Sequence, residues 1–252
     1  DGTHWFLSDD GGVVSHDGET WKKFGKEDGL LDRYVALAAN HLGHLFAAGS
    51  LDSTAAVSRL DGTRWRPEVL ADFSRSIRYV LGTSDGSLWF VAEYNKRPSQ
   101  RGGVLRFDPS RDSQSGGDTW THYAAPDIPV FLSGVGRTPN GSIWFGGSAL
   151  RKFDGQNWIT ITEPDGLGTP WSQVVRDTPG GDLWVGTKTY GVFHYDGQLW
   201  SLYDVRDGLA DNRISGIVQT EDGTIWVTTY NGVSRFDGRI WVTHALPEEL
   251  VS

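Results

Sequence analysis

The chain contains no cysteine and no methionine. Without cysteine there is no disulfide, no thiolate metal ligand and no thiol nucleophile. Without methionine there is no initiator, and the first residues already sit inside a repeat at an expected strand. The sequence therefore reads as a processed or excised segment. No apolar run approaches the roughly 20 residues that cross a bilayer, so any signal peptide or anchor is expected outside it. Long basic runs are missing as well, and the formal net charge is −9. That argues against nucleic acid or an anionic membrane surface as the main partner, although a local basic patch remains compatible with it. There is no Gly-x-Ser-x-Gly elbow, no P-loop and no dinucleotide fingerprint.

Two residue types are abundant instead, with 33 Gly and 12 Trp among 252 residues. Turns that need positive φ account for the first and sandwiched sheets for the second. The Trp residues recur in order. Gly2-Thr3-His4-Trp5-Phe6 returns as Gly43-His44-Leu45-Phe46-Ala47, Gly86-Ser87-Leu88-Trp89-Phe90 and Gly141-Ser142-Ile143-Trp144-Phe145. It returns again as Gly181-Asp182-Leu183-Trp184-Val185 and Gly223-Thr224-Ile225-Trp226-Val227. From aromatic to aromatic the steps are 41, 43, 55, 40 and 42 residues. A second phrase follows each first one: His16-Asp17-Gly18-Glu19-Thr20-Trp21, Leu60-Asp61-Gly62-Thr63-Arg64-Trp65, Phe153-Asp154-Gly155-Gln156-Asn157-Trp158, and so on to Trp200 and Trp241. In the third copy an insertion splits it into Phe107-Asp108 and Asp118-Thr119-Trp120.

A period near 40 with short strands and Asp-Gly turns predicts an all-β fold, a β-propeller of four-stranded antiparallel blades. Six blades are visible, and seven if the chain has been trimmed. The repeat argues for one domain over residues 1–252, with second strands near 3–9, 43–49, 86–93, 141–147, 181–187 and 223–229. The last copy shows the unit best. Ser215–Gln219 is a short apolar strand and Glu221-Asp222-Gly223 a tight turn. Thr224–Thr229 is a β-branched and aromatic strand. Asn231-Gly232 turns into Val233–Phe236, and Asp237-Gly238 turns into Ile240–Thr243. Ile225 and Val227 fall on one face of the second strand and Trp226 on the other, so both faces must be covered. Neighbouring blades supply that cover, and most of the Trp residues are expected between them.

The third copy carries two polar insertions, Ala92–Gly103 and Pro109–Gly117, which read as surface loops. Ring closure would need a first strand from the C-terminus, and Glu249-Leu250-Val251-Ser252 is the segment that could supply it. That strand is cramped, which is why trimming and a seventh blade stay open.

These residues resemble the two-component regulator propeller repeat, which strings together an Asp-Gly-Leu loop, a short apolar strand, Asp-x-x-Gly-x-Leu/Ile-Trp-x-Gly-Thr and Gly-Val/Leu-x-x-Phe/Tyr-Asp-Gly. Asp207-Gly208-Leu209 through Gly238 follows it nearly throughout, and Asp165-Gly166-Leu167 through Gly197 follows it well, with Trp184-Val185-Gly186-Thr187. Asp28-Gly29-Leu30 fits, whereas Phe46-Ala47-Ala48-Gly49 departs, and the third copy departs most. The resemblance implies a bacterial, extracytoplasmic ligand-sensing propeller. Many such proteins carry a membrane-anchored signalling module elsewhere in the full-length chain, and some members are stand-alone. The motif is structural and carries over no catalytic residue.

Candidate binding residues come from positions where the copies disagree. In the alignment of repeats Arg213 matches Arg33, Ser76, Phe131 and Trp171, each at the start of a first strand, with Tyr34, Arg75 and Arg78 beside them. A scaffold position should be filled alike in each blade, so unequal filling on one rim is what a grafted site looks like. Arg offers a fork of donors for carboxylate, sulfate or sugar hydroxyls, and exposed Trp or Phe a flat face for a sugar ring. The expectation is a non-enzymatic recognition module for a small anionic or glycan ligand, with no cofactor. The bland alternative pairs Arg33 and Arg213 with the loop acids Asp32 and Asp211.

Two further functions stay open: a protein-interaction scaffold using the third-copy loops, with a protein partner at Lys96–Arg101, and a propeller lyase or hydrolase with His and Glu at the rim. The seven His (His4, His16, His41, His44, His122, His194 and His244) show no metal-ligand spacing, and a zinc site would need ligands from several blades. Asp28, Asp165 and Asp207 lack the alternating acids of a calcium loop and read as turn residues.

Overall fold

Two kinds of turn, repeated along the chain, cut it into hairpins. Between first and second strands, Thr83, Thr138, Thr178 and Thr220 each exchange backbone bonds with the residues three and four places on, as in Thr83 N to Ser87 O at 2.9 Å and Gly86 N to Thr83 O at 3.0 Å. In three of these turns the Thr hydroxyl also donates to the side chain two places on, Asp85 at 2.5 Å, Asn140 at 2.7 Å and Asp222 at 2.6 Å. Between third and fourth strands, Asp17, Asp154, Asp196 and Asp237 each accept the N–H groups two and three residues on, at 2.7–3.1 Å. The Asp side chain thus stands in for a backbone acceptor, and the following Gly supplies the positive φ that the turn demands.

The computed structural model describes residues 2–8, 12–74, 76–92, 102–109, 120–124, 128, 132–161 and 171–244, and for residues 34 and 35 the backbone alone. Contacts along the chain divide it into two compact units, Asp1–Val130 and Phe131–Ser252. Arg75, Phe131, the Lys96–Arg101 and Ser110–Gly117 loops, Asp165 and the Glu249–Ser252 segment lie outside the described residues.

Among the described residues the first unit holds three sheets. In the first, β1 (His4–Ser8), β2 (Gly12–His16) and β3 (Trp21–Phe24) form a three-stranded meander. The second is β4 (Arg33–Ala39), β5 (Leu45–Leu51), β6 (Thr54–Asp61) and β7 (Arg64–Val69). The third is β8 (Ile77–Gly82), β9 (Leu88–Ala92), β10 (Val104–Phe107) and β11 (Trp120–Tyr123). The second unit has three more sheets of four strands. They are β12 (Leu132–Arg137) to β15 (Trp158–Ile161), with β13 (Ile143–Gly147) and β14 (Leu150–Phe153) between. Next come β16 (Ser172–Asp177), β17 (Leu183–Thr187), β18 (Val192–Tyr195) and β19 (Trp200–Tyr203). Last are β20 (Ile214–Gln219), β21 (Ile225–Thr229), β22 (Gly232–Phe236) and β23 (Trp241–His244). All pairings among the described strands are antiparallel between neighbours in sequence.

Within each unit the sheets bury their faces against one another. The second strands β9, β13 and β17 are buried at all their residues. In the first unit Phe46, Ala48 and Val57 pack on Ile77, Leu88, Phe90 and Phe107 of the next sheet and on Phe73 of the connection to it. In the second unit Trp144 and Leu150 pack on Val175, Leu183, Val185 and Phe193, while Trp184 and Val192 pack on Ile214, Ile217, Ile225, Val227, Phe236 and Trp241. A strand that needs cover on both sides cannot alternate polar and apolar, which is why these second strands read as continuous apolar runs. Trp65, Trp89, Trp144, Trp184 and Trp241 are buried in these layers, whereas Trp21 and Trp171 are exposed.

The Asp-Gly-Leu loops join one sheet to the next. In two of them the hydrogen bonds coincide. Gly25 N donates to Asp28 Oδ2 and Leu30 N to Gly25 O, while Asp204 N donates to Asp207 Oδ2 and Leu209 N to Asp204 O. Asp28 and Asp207 therefore stabilise turns, and Leu30 and Leu209 drop into the core.

Candidate functional site

The site residues follow from one irregularity in the first strands. In five first strands, β4, β8, β12, β16 and β20, the register against the second strand slips by one at the same place: after Tyr34, Ile77, Leu132, Ser172 and Ile214. Such a bulge leaves one residue unpaired and re-aims its neighbours. Fixing the sheets on this slip puts Arg33, Ser76, Trp171 and Arg213 in one row, each just ahead of the aligned residue. Arg78 belongs to a different row: it is the bulged residue itself, level with Ser133, Gln173 and Ser215.

In the second unit two members of this row lie on consecutive sheets. Lys188 N donates to Trp171 O at 3.1 Å, and Tyr230 N donates to Arg213 O at 3.1 Å. Each pair joins the residue before a first strand to the residue after a second strand. Side chains then stack across the pair. The Lys188 ammonium sits 4.4 Å from the centre of the Trp171 ring, and the Arg213 guanidinium 5.0 Å from the centre of Tyr230. Gly191 N donates to Asn212 O at 2.9 Å and ties the two sheets together beside Tyr190. Trp171 (39%), Tyr190 (49%) and Tyr230 (65%) expose a substantial part of their rings along this edge.

Arg213 is engaged. Its Nε and Nη2 donate to Asp211 Oδ1 and Oδ2 at 3.0 and 2.6 Å in a fork-to-fork pair. That guanidinium holds the Asp211 carboxyl below the usual range. The pair brings no net charge to the edge, so among the described residues Lys188 is the cation that remains there. In the first unit the arrangement differs. Asp32 forms an ion pair with Lys26 and accepts Asp52 N at 2.8 Å, instead of pairing with Arg33. Arg33 is exposed at the start of β4. Arg78 is exposed too, and its Nε donates to the Tyr79 hydroxyl at 3.1 Å. The structure thus brings Trp171 and Arg213 to one edge of the second unit and places Arg33, Ser76 and Arg78 in the first. The backbone of Tyr34 lies in β4 next to Arg33.

Sequence reasoning missed Lys188, Tyr190 and Tyr230. Their signal lay in the residue after each second strand, where Lys188 and Tyr230 differ from Ser50 and Ser148 in the matching rows. The histidines are scattered: His122 Nε2 lies 2.7 Å from Gly102 O, and His194 lies flat on Trp184 with its Nε2 3.0 Å from Asp182. Among the described residues no three His, Asp or Glu side chains converge as a metal site would require. None of the described residues forms a helix long and apolar enough to cross a membrane.

Comparison with known proteins bears on fold and repeat. The chain superposes on PorZ, a bacterial surface component of the type-IX secretion system of Porphyromonas gingivalis, with a TM-score of 0.62 at 15% identity, covering 89% of this chain and 42% of that one. It superposes on the extracellular domain of the one-component system BT4673 of B. thetaiotaomicron, with a TM-score of 0.60 at 12% identity, covering 97% and 36%. Against virginiamycin B lyase of Staphylococcus aureus the TM-score is 0.63 at 12% identity, covering 96% and 83%. The chain spans less than half the length of the PorZ and BT4673 chains. At these identities the likeness shows the fold, a β-propeller. No match was found among curated protein sequences. A family profile described as two component regulator propeller matches residues 208–231, from the Asp-Gly-Leu loop through β21. Residues 208–231 are therefore a two component regulator propeller repeat, set in an all-β propeller fold.

Proposed function

We propose that the chain is the ligand-recognition part of an extracytoplasmic sensor and that it takes a carbohydrate-like ligand on the edge formed by Trp171, Lys188, Tyr190, Arg213 and Tyr230. One observation carries this reading: positions made equivalent by the common bulge hold different side chains, and on the second unit those side chains are exposed aromatics paired with cations. Ring faces of this kind suit the apolar face of a sugar, and the adjoining Asp211, Asn212 and Lys188 groups suit its hydroxyls. Because Arg213 is already neutralised by Asp211, a neutral sugar ring fits this edge better than a free anion. Arg33, Tyr34, Arg75 and Arg78 of the first unit, and Phe131, are proposed as further ligand residues, with the arginines directed to acidic substituents. The extracytoplasmic setting rests on the repeat and on the fold likeness to the BT4673 extracellular domain.

The test is binding of the purified chain to a panel of neutral and acidic oligosaccharides. It is repeated with the Trp171→Ala, Arg213→Ala double variant. Binding is expected to disappear in the variant while the melting temperature stays nearly constant. Undiminished binding would remove the site. A propeller lyase is the second reading, favoured by the fold likeness to virginiamycin B lyase. It predicts turnover of virginiamycin B or a related cyclic peptide by the unmodified chain.

A further inference from the structure

A cleft opens at the other end of the same two sheets. It encloses about 580 Å³ within the second unit, between the β16–β17 turn and the β20–β21 turn. Pro179, Trp184, Ile217, Val218 and Ile225 form an apolar interior, and Arg176, Asp177, Gln219 and Glu221 stand among its polar lining. The first strands run six residues from the Trp171 and Arg213 edge to this cleft, roughly 20 Å at a strand's rise per residue. The cleft is thus separate from the carbohydrate reading above. Its volume lies in the range of small-molecule sites, about 300 to 1,000 Å³.

One turn that lines the cleft lacks a part that three of its counterparts possess. In three other sheets an Asp or Asn third in the turn takes the Thr hydroxyl: Asp85, Asn140 and Asp222. The same side chain also accepts the N–H two residues on, as Ser87, Ser142 and Thr224 donate to it at 2.9–3.1 Å. In the β16–β17 turn that position is Gly180. A Cβ built there meets only the Thr178 hydroxyl, at 3.8 Å, and Gly180 does not need positive φ. Asp182 N turns to Thr178 Oγ1 instead, at 3.1 Å. The indole differs as well, although its acceptor in the counterpart is the Thr hydroxyl and not the Asx side chain. In the preceding sheet Trp144 Nε1 donates to Thr138 Oγ1 at 3.2 Å. Trp184, its equivalent, is 2% exposed, lines the cleft, and its Nε1 has no hydrogen-bond partner among the described residues. A buried N–H without an acceptor is costly and rare in native interiors.

We propose that this cleft binds a small carboxylic acid with an apolar body. One carboxylate oxygen takes the place of the missing Asx side chain at Gly180, accepting from the Thr178 hydroxyl and the Trp184 indole. The apolar body rests on Pro179, Ile217 and Val218. Arg176 lines the cleft, with its Nε donating to Ile217 O at 3.4 Å, and the rest of its fork takes the second oxygen. Asp177 is partly compensated by Arg137, 3.8 Å away, which leaves Glu221 as the acid that a carboxylate must tolerate at the solvent edge.

The experiment is titration of the 15N-labelled chain with sodium phenylacetate, sodium hexanoate and, as the neutral counterpart, phenylacetamide. The readout is the Trp184 indole N–H signal, assigned through its contacts with the His194 ring stacked 4.1 Å away. The acids should move that signal downfield to saturation and the amide should bind at least tenfold more weakly. Gly180→Asp, which installs the side chain its counterparts have, should abolish the response in a folded protein. Arg176→Gln should weaken the acids about tenfold. Absence of any movement with either acid, or an equal response in Gly180→Asp, overturns the site. Equal affinity for the amide, or unchanged affinity in Arg176→Gln, overturns the carboxylate assignment.

Discussion

The buried hydroxyl of Ser58 donates to the carbonyl oxygen of Gly29 at 2.8 Å and ties an Asp-Gly-Leu loop to the third strand of the sheet that follows it. The counterpart loop is tied similarly: Thr243 donates to Gly208 O at 2.6 Å and Ala210 N donates to the buried Ser234 at 2.9 Å. These side chains satisfy loop backbone groups that are partly withdrawn from water. Ser58→Ala is expected to cost about 1–2 kcal/mol, read as a lowered urea midpoint at constant slope. Full stability in that variant would show that water replaces the hydroxyl.

The loop glycines should follow a graded series. At Gly29 φ is +93° and an added Cβ would lie 2.0 Å from Trp65 O. At Gly208 φ is +112° and the nearest atom, Trp241 O, is 2.9 Å away. At Gly18 φ is +103° with open space around it. Gly18→Ala therefore meets only the cost of positive φ, about 1 kcal/mol. Gly208→Ala adds a contact that must relax, and Gly29→Ala displaces backbone, for more than about 3 kcal/mol. Thermal melts of the three variants should rank in that order. A different order would mean that the fourth strand yields to the loop.

Acid should loosen the turns between third and fourth strands. The N–H of Thr20, with that of Glu19 next, holds the Asp17 carboxyl down at about 2. Asp154, Asp196 and Asp237 are held low in the same manner, by Asn157, Leu199 and Ile240 respectively. Each group binds a proton more readily once unfolded, where Asp titrates near 4. Their contribution is complete above about pH 4 and is lost as the pH falls through the folded values toward about 2. Asp→Asn replacements at these four positions keep an oxygen acceptor but remove the titration. The variant should lose stability less steeply between pH 4 and pH 2. An unchanged acid limb would place the titration elsewhere.

Asp211 sets the charge of the proposed ligand edge. Asp211→Asn frees the Arg213 fork and raises the edge by one positive charge. The variant should gain affinity for sulfated or carboxylated sugars, with a steeper salt dependence, and shift its melting temperature by no more than about 3 °C. No change in preference between neutral and acidic sugars would take Arg213 out of the ligand site.

Much of the architecture was legible because the chain repeats the residues that build it. In the last repeat the expected strands 215–219, 224–229, 233–236 and 240–243 become Ile214–Gln219, Ile225–Thr229, Gly232–Phe236 and Trp241–His244. The row of Arg33, Ser76, Trp171 and Arg213 was also legible, since equal spacing from each second-strand aromatic marks it. What each arginine does was not. Asp211 lies two residues before Arg213, and in extended chain those side chains share a face. Asp32 is adjacent to Arg33 and points the other way, so it takes Lys26 instead. Gly180 could have been noticed by its difference from Asp85, Asn140 and Asp222, but a glycine in a turn looks ordinary until its neighbours' hydrogen bonds are known.

The sharpest separation of scaffold from site lies in two tryptophans of the second unit. Trp144 is 2% exposed, gives its N–H to Thr138 and meets Trp200 edge-on at 5.9 Å. Trp171 is 39% exposed and carries the Lys188 ammonium over its ring. Trp144→Ala opens a cavity between two sheets and should cost about 3–5 kcal/mol, which at this size lowers the melting temperature by roughly 10 °C or more. Trp171→Ala removes a partly exposed ring and should cost clearly less than Trp144→Ala, about 1–2 kcal/mol, yet abolish oligosaccharide binding. If Trp171→Ala instead melts as early as Trp144→Ala, the ring belongs to the core, and the exposed aromatic edge loses its central member.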